Sequence, residues 1–409
     1  MNVVIIGNSS AAIGCIEGIR QTDKNASITV ISNEIYHTYS RPLISYLLWG
    51  RTDEQRMKYR PDDFYEKTGC RVLLGKTAAK IDREKKQVLL DDGSVLPYDK
   101  LLIATGSDAI VPPIEGLDKV VKKHTFMSLD DAKELEADLS PDTRVLVMGA
   151  GLIGLKCVEG ISEKVKSITV VDMADRILPS ILDGNAAALV QAHIEKQGVS
   201  ILLNDAVAAF KVNQAVLKSG KEISFDVLVI AVGVRPSITL AREAGITCER
   251  GILTDVQCKT SDPDVYAAGD CSASLDSTCG EMRVLALLPN AYMQGECAGF
   301  NMVGGVKPYE KAIPMNSIGF FDLHMVTAGS YCGDGMVLDN ADGYKKFFVQ
   351  NNRLIGYIIV GDVKRAGIYT SLIREQTDLS TIDFEMIKNS PQLMAFSKSD
   401  RQTKMGSVQ

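Results

Sequence analysis

Gly149, Gly151 and Gly154, with Asp172 about 20 residues further on, are the residues whose types and spacing best suit a chemical task. They follow the apolar run Val145–Met148 and precede a helix-like stretch and a second apolar run, Ser167–Val171. The order strand, glycine turn, helix, strand, acid is that of a dinucleotide site. Gly149 lets the chain turn tightly, Gly151 lets backbone meet a pyrophosphate, and Gly154 lets the helix pack close to the strand. Leu152 and Ile153 open the helix, whose unpaired N–H groups attract phosphate, and Asp172 can accept a ribose 2′-hydroxyl.

The chain begins with a variant of the same pattern. Asn2–Ile6 reads as a buried strand, Gly7, Ser9 and Ala12 take the three glycine places, and Ser27–Ser32 leads to the acid Glu34. Ser9 puts a small side chain where backbone should meet pyrophosphate, and its hydroxyl can itself bond phosphate. After each fingerprint come short alternating strands and then a closing strand, Lys100–Ala104 before Thr105-Gly106 and Asp226–Val232 before Gly233. The chain is therefore duplicated, and two copies imply two dinucleotide sites. Between Glu34 and Gly50, Pro42 suits a helix start with Arg41 just outside it. Val265–Ala268 reads as a strand leading through Gly269 to Asp270, and Pro289-Asn290 opens a helix over Ala291–Met302.

The 409 residues suffice for two or three domains. A net charge of −6 without a basic stripe speaks against nucleic acid. Nine cysteines, an odd number with no CxxC spacing, fit reduced thiols in a cytoplasm. No apolar run approaches a membrane span, and Met1 leads straight into a strand with no room for a targeting segment. The four histidines, 37, 124, 193 and 324, have no metal spacing, so no metal site is expected. Residues 307–409 change character to an α+β pattern whose polar end, Lys398–Gln409, reads as frayed.

Two fingerprints, Leu102-Ile103-Ala104-Thr105-Gly106 and Val265-Tyr266-Ala267-Ala268-Gly269-Asp270 together resemble the FAD-dependent pyridine nucleotide–disulfide oxidoreductase superfamily over essentially the whole chain. Tyr39-Ser40-Arg41-Pro42 and Gln294–Met302 look most like its NADH:rubredoxin reductase and nitrite reductase flavin-subunit branch. The resemblance implies an α/β fold with two Rossmann-like domains and a C-terminal α+β domain. The expected boundaries are 1–110 with 236–306 for FAD, 111–235 for NAD and 307–409 for the last domain. Gly7, Ser9, Ala12 and Glu34 would hold the FAD pyrophosphate and adenosine ribose. Arg41, Pro42, Ala78, Ala104, Thr105, Gly106 and Asp270 would complete that site, and Asn290 and Ala291 would aim a helix N-terminus at the flavin. Gly149, Gly151, Leu152, Ile153, Gly154, Asp172 and Gly233 would bind NADH; Asp172 disfavours the 2′-phosphate of NADPH, although Arg176 stands four residues on.

The departures from the family pattern bear on chemistry. Residues 35–50 hold no cysteine, so the thiol chemistry of the disulfide reductases has no residue at the flavin. Lys156 stands where the family usually has Glu, and no Lys occupies Arg41–Gly50. Lys156, with Arg41, is the expected source of positive charge beside the flavin. The implied activity is NADH-to-FAD hydride transfer with electrons passed to rubredoxin or ferredoxin; an NADH oxidase and a non-catalytic FAD/NADH sensor are the alternatives. Lys345, Lys346, Lys364 and Arg365 are the expected docking charges, and the last domain is a possible homodimer interface.

Overall fold

The computed structural model describes residues 1–340 and 343–396; the stretch expected to fray, Lys398–Gln409, lies outside them. Its helices are α1 (Ser10–Thr22), α2 (Ile44–Leu48), α3 (Phe64–Lys67), α4 (Leu129–Ala137), α5 (Leu152–Ile161), α6 (Gly184–Glu195), α7 (Thr239–Glu243), α8 (Leu288–Met302), α9 (Ala366–Arg374) and α10 (Phe384–Asn389). The residues form two compact units: 1–177 with 195–275 and 281–312, and 178–194 with 276–280 and Ile313 onward.

The first unit contains both nucleotide sheets, each five-stranded and parallel. One runs Val265–Ala267, Lys100–Ile103, Asn2–Ile6, Ser27–Ser32, Cys70–Leu74, and the other Lys123–His124, Val227–Ile230, Arg144–Met148, Ser167–Val171, Ser200–Leu202. In both, the strand before the glycines is central and the strand ending in the acid lies beside it. Such strands are covered on both faces, which is why they read as unbroken apolar runs. The duplication extends to single bonds. The Gly7 N–H donates to Ile31 at 2.9 Å and the Gly149 N–H to Val171 at 2.8 Å. Each copy carries an antiparallel meander, Ala78–Asp82 to Val95–Pro97 and Val207–Lys211 to Glu222–Ser224. Ser107–Ala109 and Val234–Pro236 pair antiparallel where the two copies connect.

Helices α1 and α8 meet at backbone distance. A Cβ on Gly14 would fall 2.2 Å from the Tyr292 carbonyl oxygen, one on Gly18 2.3 Å from that of Glu296, and one on Gly299 2.1 Å from that of Cys15. Glycines four apart share a helix face, so Gly14 and Gly18 admit the α8 backbone at Tyr292 and Glu296, while Gly295 and Gly299 admit the α1 backbone at Ala11 and Cys15. This contact sets where α8 starts, and hence where its N-terminus stands. Among the described residues no helix is long and apolar enough to cross a membrane.

The second unit is a five-stranded antiparallel sheet, Met315–Phe320, Leu323–Gly329, Arg353–Gly361, Gly343–Gln350, Asp334–Asn340, with α9 and α10. Its core gathers Phe347, Tyr357, Tyr369 and Leu372. Helix α6, which chain order assigns to the 111–235 segment, groups with this sheet. Its leading Asp183 accepts from Tyr344 at 2.6 Å and Lys346 at 2.9 Å. The expected docking charges are corrected here. Lys346 is committed to Asp183, and Lys345 is buried 3.9 Å from Asp362, leaving Lys364 and Arg365 exposed.

Candidate functional site

The first fingerprint opens into a cleft of about 640 Å³ whose walls include Gly7, Ser9, Glu34, Arg41, Ala78, Ala104, Thr105, Gly106, Asp270 and Ala291. Gly7 has φ +116°, and a Cβ there would sit 2.1 Å from the Ala104 carbonyl oxygen, so only glycine closes this turn. Ser9 caps α1 with extended backbone and without a side-chain bond to the helix. The first N–H groups of α1 and the Ser9 hydroxyl are thus open to an anion. Ala12 is fully buried behind the wall, as the third small position requires.

Two acids mark the cleft. Glu34 accepts from Tyr39 at 2.6 Å through one oxygen and from Arg41 through the other. Asp270 follows Gly269 (φ +82°), and burial lifts its carboxyl above the usual range, with the Ser107 hydroxyl, 3.3 Å away, and the Arg41 charge pulling it back. Gln294 fixes that loop. Its side-chain oxygen accepts from the Gly269 N–H at 2.7 Å, and its amide donates to Ser274 at 2.9 Å. The half-buried Asp270 in a concave wall, beside an uncapped helix N-terminus, fits a dinucleotide cofactor such as FAD.

The start of α8 differs in detail from expectation. Leu288 and Ala291 line the cleft, three residues apart on one face. Asn290 points elsewhere: it is 2% exposed and its side-chain oxygen accepts from Tyr309 at 3.0 Å. Pro42 sits in a short 3-10 turn, Arg41–Leu43, that leads into α2.

In the second copy, a Cβ on Gly149 would lie 2.2 Å from the Ala231 carbonyl oxygen and one on Gly154 2.1 Å from that of Gly149, whereas Gly151 faces open space. That is the division of labour expected of the three glycines. Leu152 and Ile153 begin α5 half-buried. Asp172 is more occupied than the sequence suggests, accepting from Ala150 N–H at 2.6 Å and Ala174 N–H at 2.8 Å. It braces the glycine turn from the next strand and keeps lone pairs for a ribose. Arg176 donates to Asp175 at 2.8 Å, which tempers the charge it offers a 2′-phosphate. Gly233, at φ +133°, accepts from the Ile110 N–H at 3.0 Å.

Arg41 and Lys156, expected to act together, are held by different carboxylates. Arg41 pairs with Glu34, while Lys156 pairs with Glu159 and stands 4.4 Å from the centre of the Tyr46 ring. Lys156 and Glu159 side chains are 11% and 3% exposed, and neither belongs to the walls of the first cleft. Lys156→Met should therefore remove the ammonium of a buried ion pair and lower stability by about 3 kcal/mol. It should also make the flavin potential more negative if the ammonium acts on the flavin; thermal denaturation beside a potentiometric titration separates the two effects.

Sequence reasoning quoted Tyr39 and Gln294 only within the stretches that mark the branch and gave them no role, and it missed the Thr125–Asp131 segment, although Ser128 and Asp131 carry the spacing of a capping box and form one. It also missed the paired glycine faces of α1 and α8, visible as Gly14/Gly18 and Gly295/Gly299. Among the described residues no cysteine lines the cleft, and burial raises the thiols of Cys15, Cys157 and Cys271 above their ordinary range.

Residues 1–295 match the family described as pyridine nucleotide-disulphide oxidoreductase, and residues 314–377 match the rubredoxin NAD+ reductase C-terminal domain. The NADH-dependent phenylglyoxylate dehydrogenase subunit epsilon of Aromatoleum evansii is 31% identical over 401 residues, 94% of each chain. A rubredoxin-NAD(+) reductase of Pseudomonas putida is 31% identical over 314 residues, 75% of this chain and 81% of that one. Among solved structures, a NAD-dependent persulfide reductase from A. fulgidus superposes with a TM-score of 0.87 at 26% identity, covering 100% of this chain and 83% of the other.

Proposed function

The chain belongs to the pyridine nucleotide-disulphide oxidoreductase family, and on that premise we propose that it is an NADH-dependent flavoenzyme that reduces a small electron-carrier protein of the rubredoxin or ferredoxin type. The observation that carries this reading is the pair of nucleotide cradles, which repeat the same bond from the glycine turn to the neighbouring strand, without a thiol lining the first. Bound FAD would supply the redox chemistry, taking hydride from NADH and returning the electrons to an acceptor.

The chain's own residues bind and orient. Glu34 and Arg41 fix the adenosine end, Gly7 and Ser9 admit the pyrophosphate, and Asp270, held by Gln294, anchors the middle of the cofactor. The N-terminus of α8, entering at Leu288 and Ala291, presents its positive end to that cleft, which favours the more negative, reduced cofactor. In the second copy Gly151 and the start of α5 would take the NADH pyrophosphate, and Asp172 its ribose. The Asp172 charge supports NADH over NADPH. Asp172→Ala should raise the KM for NADH by about tenfold or more, the worth of one charge-assisted hydrogen bond, and narrow the preference over NADPH. Equal KM values for NADH and NADPH in the native protein would contradict the assignment.

Steady-state assays with NADH and either rubredoxin, ferredoxin or oxygen test the acceptor. The reading expects carrier reduction to outpace oxygen consumption; turnover with oxygen alone would make the protein an oxidase. Lys364 is an exposed charge on the second unit and is proposed to face an acidic carrier. Lys364→Glu should raise the KM for the carrier several-fold at low salt, with the difference vanishing at high salt. An unchanged KM at low salt would move the docking face elsewhere.

A further inference from the structure

The wall of the first cleft has a contributor that neither fingerprint contains. Thr125, Met127, Ser128, Asp130 and Asp131 line it, although they lie beyond the first copy of the duplication, between two strands of the second sheet, Lys123–His124 and Arg144–Met148. The segment is stiff in itself. Asp131 accepts from Thr125, from the Met127 N–H at 2.7 Å and from the Ser128 N–H at 3.1 Å, while Ser128 accepts from the Asp131 N–H at 3.1 Å. It thus moves as one piece with the start of α4.

Three side chains from the stretch that follows Glu34 grip this piece. Tyr36 donates to the Asp130 carboxylate. The Tyr39 hydroxyl accepts from the Leu129 N–H at 3.0 Å, and Arg41 donates to the Met127 carbonyl at 3.1 Å. The Leu129 N–H is one of the first donors of α4, which no carbonyl of its own helix can satisfy. Tyr39 and Arg41 each have a second bond, and both of those end on Glu34, one on each carboxylate oxygen. A carboxylate offers about four acceptor sites. With one taken on each oxygen, each keeps a site for a vicinal ribose hydroxyl, and the carboxylate cannot rotate.

We propose that Tyr36, Tyr39 and Arg41 latch the Met127–Asp130 segment as a strap across the Glu34 end of the cleft, and that Tyr39 is the positioning residue that joins the strap to the cofactor acid. The inference rests on the reading that this cleft holds FAD. Opening the strap breaks the Tyr39 and Arg41 bonds and frees the Glu34 carboxylate to turn. Cofactor escape and strap release are therefore one event, and the latch governs how fast FAD leaves rather than how fast it arrives.

The test uses the full-length holoprotein. FAD release is followed by flavin fluorescence after dilution, and FAD association by titrating apoprotein, for the native chain and for Tyr39→Phe, Tyr36→Phe and Asp130→Ala. Each variant should release FAD about five- to tenfold faster, the worth of a lost hydrogen bond, with association within about twofold of native. Tyr36→Phe and Asp130→Ala remove the same bond from opposite ends at an exposed position, so they remain informative if Tyr39→Phe fails to fold. Release within twofold of native in variants that bind FAD, or a slowing confined to association, would overturn the latch alone. A native protein that binds no FAD would overturn the flavin reading and the latch with it.

Discussion

Gly7→Ala should yield protein without FAD, whereas Gly149→Ala should yield yellow protein that NADH does not reduce. The two positions are equivalent in the duplicated fold. Each has a φ above +100°, where a side chain is strained, and each would bring a Cβ within 2.2 Å of a carbonyl oxygen, of Ala104 and Ala231 respectively. The obstacle is backbone on a central sheet, so it cannot swing aside as a side chain could. The cost is the left-handed strain of about 1–3 kcal/mol together with overpacking of similar size, concentrated in one nucleotide turn. Gly151→Ala is the milder companion. Its Cβ meets no protein atom within 4 Å, so the fold and FAD content should be native. The methyl group should nevertheless raise the KM for NADH, because it fills the space the pyrophosphate approaches. The flavin-to-protein absorbance ratio and NADH reduction of the three purified variants check these results. Loss of FAD from Gly149→Ala with retention in Gly7→Ala would reverse the site assignment.

Gly295→Val should destabilise the first unit by several kcal/mol and expel FAD. A Cβ there would lie 1.9 Å from the Ala11 carbonyl oxygen, and valine adds two methyl groups beyond it. The helices can answer only by separating, which opens cavities along Ile13, Ile16, Cys297 and Ala298, all at most 1% exposed. Separation also moves Ala291, four residues earlier on the same face, out of the cleft wall. Gln294 sits beside the substituted residue and would carry the Gly269–Asp270 loop with it. Calorimetric melting of apo- and holoprotein tests the prediction. A native melting temperature with native flavin content would show that the α1–α8 contact does not position the site.

How much of this was legible in the sequence depends on the range of the interaction. The nucleotide turns were, because glycine spacing, strand hydrophobicity and a following acid are local and encode a single geometry. The ten cleft residues named from sequence that line the wall come from those local signals and from the family resemblance. The partners of charged side chains were not legible. Lys156 looks like an unmatched charge until Glu159, three residues on, is seen to take it, and Lys345 and Lys346 look like a surface patch until the strand turns them toward Asp362 and Asp183. Asn290 has the residue type for a cofactor contact, but helical periodicity turns it toward Tyr309. Tyr39 is joined to a segment 90 residues away, and no local pattern in either segment announces the other. The glycine faces of α1 and α8 were present as spacing but have meaning only as a pair.

Electrons are expected to pass through the flavin without stopping on protein sulfur. Anaerobic reductive titration of the holoprotein, followed by flavin absorbance with electrons added in known amounts, tests it most directly. Complete bleaching after two electrons per FAD is the expected result, since among the described residues no cysteine lines the cleft and the thiols of Cys15, Cys157 and Cys271 are buried. Uptake of four electrons per FAD, with a first pair absorbed before the flavin bleaches, would reveal a protein disulfide in the path and contradict it.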